Sequence, residues 1–158
     1  MIEDDLIYDV GMHKGEDTEF YLKKGFRVIA VEAMPSFCAE VKDRLSADVT
    51  AQRLTIVSGA IAERPGTIPF YVNPNSVWGT TQQSWSERNE RLGLKSSGVI
   101  EVPALDFADL LRKHGVPHYL KVDIEGADLL CLEALKGGDL RPRHISIESN
   151  KVSWPELL

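Results

Sequence analysis

The feature that most constrains this chain is a regular exchange of two periodicities. Short apolar runs alternate with segments whose apolar residues recur three and four positions apart. Residues 6–10 read as a buried strand ended by glycine turns, and a helix follows near residues 17–24, with acids in its first turn, lysines in its last and Gly25 as its stop. Arg27–Glu32 is a second strand, rich in β-branched residues. Pro35 opens a helix that carries Phe37, Val41 and Leu45 on one face. Leu54–Ser58 is a third strand. Residues 63–104 break the rhythm: Gly66–Val72 and residues 99–103 suggest an antiparallel excursion. The alternation then resumes with a helix through Phe107, Leu110, Leu111 and His114, and a fourth strand at 119–123. A helix through Ala127, Leu130, Cys131 and Ala134 stops at Gly137-Gly138, and a fifth strand follows at 144–148. Strands alternating with helices predict an α/β fold with a mostly parallel sheet and helices on both faces.

Composition narrows the partners. A chain of 158 residues is expected to form one domain over 1–158. It has no run of the roughly 18 apolar residues that a membrane span needs. The start, Met-Ile-Glu-Asp-Asp, is acidic where a signal peptide is basic, so a cytoplasmic location is expected. Cys38 and Cys131 both sit within apolar helical patterns, as buried thiols in a reducing compartment do. A net charge of −6 argues against a nucleic-acid partner, and Arg141-Pro142-Arg143-His144 is too short a basic cluster to reverse that. A small-molecule or carbohydrate partner fits better.

In an open parallel sheet, ligands bind beyond the carboxyl ends of the strands, which makes the turn after the first strand the first place to look. That turn, Asp9-Val10-Gly11-Met12-His13-Lys14-Gly15, lacks the G-x-G-x-x-G spacing of dinucleotide binders. Glu16 and Asp17 follow it and would repel a pyrophosphate at the helix N-terminus. A ligand neutral or cationic at its near end suits the loop better. A sulfonium compound carrying an ammonium group meets that condition, with Asp9 facing the ammonium or its water shell. Glu32 ends the second strand, 23 residues after Asp9, where a carboxylate can accept bonds from both ribose hydroxyls. The plainer reading of Glu32 is a solvated strand end.

With those segments in hand, the chain resembles the FkbM-type S-adenosylmethionine-dependent methyltransferases. The resemblance rests on the turn at 9–15, on Val31-Glu32-Ala33-Met34-Pro35, and on Leu120-Lys121-Val122-Asp123-Ile124-Glu125-Gly126-Ala127-Asp128, with Ser146-Ile147-Glu148 in support. The third segment is the most specific. The family's turn usually carries Asn where this chain has His13. The resemblance implies a Rossmann-like class I methyltransferase sheet and methyl transfer to a hydroxyl of a sugar or small metabolite. It implies that Gly11 and Gly15 line the methionine end of S-adenosylmethionine and that Glu32, followed by Ala33, holds the ribose. Ser58 and Ala60 would pass the adenine, and Asp123 would stand beside the transferring methyl. The family fold continues through a further helix and a C-terminal hairpin, so a truncated chain is expected, or a second copy covering the edge of the fifth strand.

A hydroxyl acceptor benefits from a base. Asp123, Glu125 and His13 are the catalytic candidates. In an extended segment Asp123 and Glu125 point the same way, and the pair could instead bind Mg²⁺, although the sequence does not require a metal. Glu125 equally suits the N-terminus of the following helix, and His13 an exposed loop. Trp78, Thr80 and Trp85, in a long polar stretch, and Glu148, at a strand end, are the acceptor-site candidates. The tryptophans could also simply anchor their loop. Two other functions stay open: a non-catalytic adenosyl-ligand module and a nicotinamide-dependent oxidoreductase.

Overall fold

The computed structural model describes residues 1–72, 98–124 and 126–148. Strands β1 (Ile2–Val10), β2 (Arg27–Glu32), β3 (Leu54–Ser58), β7 (Val116–Val122) and β8 (His144–Ile147) form one sheet in the order β3-β2-β1-β7-β8. Every pairing in it is parallel. A second sheet joins β4 (Ala60–Ile61), β5 (Gly66–Val72) and β6 (Gly98–Leu105) in the order β4-β6-β5. β5 and β6 pair antiparallel, as their sequence suggests. β4 is too short to show in the sequence, and it pairs parallel to β6.

Helices cover both faces of the main sheet. The helices are α1 (Glu16–Lys23), α2 (Pro35–Arg44), α3 (Ser46–Thr50), α4 (Phe107–His114) and α5 (Asp128–Ala134). Strand side chains alternate between faces with period two. Leu6, Tyr8 and Val10 of β1 therefore join Ile29 and Val31 of β2 and Leu120 and Val122 of β7 against α4 and α5, which contribute Phe107, Leu110, Leu111 and Cys131. On the opposite face Val28, Ala30 and Leu54 pack with Leu22 of α1 and Val41 of α2. Tyr8 ties the layers together: its hydroxyl donates to the carbonyls of Leu110 (3.1 Å) and Gly115 (3.0 Å). Among the described residues no helix is long and apolar enough to cross a membrane. Cys38 and Cys131 are buried and free.

Two strands are longer than their patterns. β1 starts at Ile2 because its outer half pairs with β7 at Val116 and Pro117, with a register shift before Ile7. Glu3, Asp4 and Asp5 are poor strand formers, but Arg27 bonds Glu3 and Asp5 while Arg143 bonds Asp4 (2.8 Å). β7 starts at Val116, and so includes His118, because proline is tolerated near the start of a strand. His118 thus lies within the strand, with its ring 5.0 Å from that of His144.

A candidate cofactor site at the carboxyl edge of the sheet

The chain order reverses direction at β1: β2 and β3 lie to one side of it, β7 and β8 to the other. That is where an open α/β sheet leaves a crevice. Val57, Val31, Val10, Val122 and Ile147 stand in one register row across all five strands. The next residue on each strand is Ser58, Glu32, Gly11, Asp123 and Glu148. Five residues from distant parts of the sequence therefore leave the sheet side by side at one edge.

The turn from Gly11 to Gly15 closes over this edge. The backbone N–H groups of Gly11 and Met12 both donate to the carbonyl of Val31, at 2.9 and 3.0 Å. Met12 is 2% exposed and plugs into the core beneath α1 and α2. Gly11 has φ +91°, and a Cβ on it would sit 2.0 Å from the carbonyl oxygen of Asp123. Gly15, with φ +81°, starts α1, and a Cβ there would meet the Val41 methyls of α2 at 3.0 Å. The space a side chain would fill at either glycine is thus taken by protein. The glycine pattern reflects strand and helix packing at least as much as ligand approach, which the sequence alone does not reveal.

Glu32 is held from two sides. Oε2 accepts the N–H of His13 and Oε1 that of Met34, each at 2.8 Å. Burial pushes its carboxyl above the usual range, and those two N–H groups only partly oppose the shift. Each oxygen has taken one backbone donor and keeps acceptor capacity for another. A pair of vicinal hydroxyls fits that capacity.

Asp9 stands differently from expectation. It has no exposed surface. Thr18 of α1 donates to its Oδ2 (2.7 Å), and the ammonium of Lys121 lies 3.3 Å from its Oδ1. Lys121 also reaches Asp17 at 2.6 Å. Burial pulls the Lys121 ammonium down, but Asp9 and Asp17 outweigh it and hold the group above the usual lysine range. Asp9 thereby anchors α1 and β7 to β1 beneath the turn. Lys121, from the segment at 120–128, completes this clasp. Its register with Asp9 becomes visible only once β1 and β7 are paired.

The remaining candidates divide. Ser58 and Asp123 are exposed at the edge, and Glu148 is exposed beyond β8. Ala60 is 6% exposed and packs with Phe70 and Val102 in the second sheet, with Ala33 against the same cluster. His13 has φ +54° and sets its ring 4.7 Å from that of Phe37. Glu125, Trp78, Thr80 and Trp85 lie outside the described residues. Among the described residues no three His, Cys, Asp or Glu side chains cluster as a metal site.

A parallel sheet with helices on both faces, carrying an acid at the end of its second strand and a second acid across the switch point, defines a Rossmann-like fold. The family model of the methyltransferase FkbM domain matches residues 9–157, and the chain belongs to that family of methyltransferases. No curated protein matches the chain.

Proposed function

We propose that this methyltransferase uses S-adenosylmethionine and methylates a hydroxyl of a sugar or small metabolite. One observation carries the reading: Glu32 and Asp123 each come directly after the paired row Val31, Val10 and Val122, on either side of Gly11. An adenosyl ligand lying across β1 and β2 puts its ribose on Glu32, whose two oxygens each retain acceptor capacity. Its adenine then runs past Ser58, and its reactive end lies over Gly11, toward Asp123.

S-adenosylmethionine supplies, when bound, a methyl group activated by a sulfonium. The residues of this chain orient that methyl and the acceptor for an in-line approach, which is where much of the rate arises in such transfers. Asp123 takes the proton of the acceptor hydroxyl as the oxygen–carbon bond forms and the carbon–sulfur bond breaks. Glu148, just beyond β8, accepts hydrogen bonds from further hydroxyls of the acceptor, and the acidic edge suits a neutral polyol. The acids Glu16, Asp17 and Glu19 in the first turn of α1 disfavour a pyrophosphate there, which speaks against the oxidoreductase alternative.

Methyl-labelled S-adenosylmethionine incubated with a panel of sugars and hydroxylated metabolites tests this directly. Label transferred to a hydroxyl oxygen, and lost in Asp123→Asn, is the expected result. Transfer to nitrogen or carbon acceptors alone would overturn the hydroxyl assignment.

A further inference from the structure

His13 is a natural candidate for the base, since it lies within the turn and histidine titrates near neutrality. Its geometry says otherwise. The residue adopts φ +54°, a left-handed conformation that histidine, asparagine and glycine tolerate and β-branched residues do not. That conformation turns its backbone N–H onto Glu32 Oε2 at 2.8 Å. Its ring packs edge-on against Phe37 of α2, at 4.7 Å and 66°. Phe37 is 9% exposed, so the ring is braced by a fixed wall. These two contacts lie on the β2 side of the turn.

We infer that His13 is a positioning residue: its left-handed backbone, wedged by the ring on Phe37, aims an N–H at Glu32 and fixes the carboxylate for the ribose hydroxyls. This rests on the adenosyl reading for the identity of the ligand, but not for the arrangement itself. The function lies in the backbone conformation, and the side chain matters for how well it holds that conformation. Asparagine, the residue the resemblance places at this position, meets the same requirement.

The variants H13N, H13G, H13A and H13V separate the possibilities. Binding of S-adenosylhomocysteine is measured by calorimetry, turnover by its pH profile, and the Glu32 carboxyl by NMR titration of the ligand-free protein. H13N and H13G should keep the affinity within about threefold, because both residues accept the left-handed region. H13A and H13V should weaken it by about tenfold or more, as the strain turns the N–H away. In H13A the Glu32 carboxyl should titrate higher than in H13G, which lacks the ring equally, because only H13A loses the backbone donor to its charged form. A fall in kcat of about a hundredfold or more in H13N, with adenosyl affinity kept and the pH profile flattened, would show a base instead. A Glu32 titration equal in H13A and H13G would also overturn the proposal, and it reads out even if H13V does not fold. If the wild type binds no adenosyl ligand, the cofactor reading fails, while the titration still decides the role of His13.

Discussion

A Cβ on Gly11 would lie 2.0 Å from the carbonyl oxygen of Asp123, so the turn after β1 and the end of β7 are in backbone contact. The contact sets the spacing between the turn and the candidate base. It also explains why a glycine is needed where no ligand has to approach.

Gly11→Ala should therefore be strongly destabilising. The φ of +91° disfavours any side chain, and the neighbour is backbone that cannot step aside. Strain and overlap together should cost about 2–5 kcal/mol in urea-induced unfolding. A loss under about 1 kcal/mol would mean the turn relaxes freely.

Lys121 should matter far more than a surface lysine. Its removal strands Asp9, which is fully enclosed, without its cation. Lys121→Met should cost about 3–5 kcal/mol, and the double variant Asp9→Asn/Lys121→Met should recover most of that. Chemical denaturation of the four proteins in a double-mutant cycle measures the coupling. Additive losses would contradict the clasp.

Much of this architecture is legible in the residues, and the gaps have physical causes. β2 shows itself because Val28, Ile29, Ala30 and Val31 are buried on both faces, which leaves one apolar run. β1 hides its first residues because Glu3, Asp4 and Asp5 depend on Arg27 and Arg143, partners far away in sequence. Glu32 and Asp123 are readable as acids at strand ends, but that both follow one paired row shows only with the strand order. Asp9 looks the same in sequence whether it faces a ligand or Lys121. Only its burial separates the two.

Binding should depend on acidity through Glu32. Its folded carboxyl titrates above the ordinary value of 4.5 because it is buried. A raised carboxyl favours the fold most below pH 4.5, and that contribution is lost as the pH rises through the folded value. Ligand binding runs the opposite way, since the charged form accepts both hydroxyls. Adenosyl affinity should decline as the pH falls through the folded value, with the decline absent in Glu32→Gln. Calorimetry across the acid range reads this, and a pH-independent affinity in the wild type would remove Glu32 from the ribose site.

The most direct measurement is calorimetric titration of the wild type and Glu32→Ala with S-adenosylmethionine, S-adenosylhomocysteine and NAD. The wild type should bind both adenosyl ligands and not NAD. Each hydrogen bond to a charged group contributes about 1.5–3 kcal/mol, so losing two should weaken Glu32→Ala by about a hundredfold or more. Preference for NAD, or an adenosyl affinity unchanged in Glu32→Ala, would contradict the account.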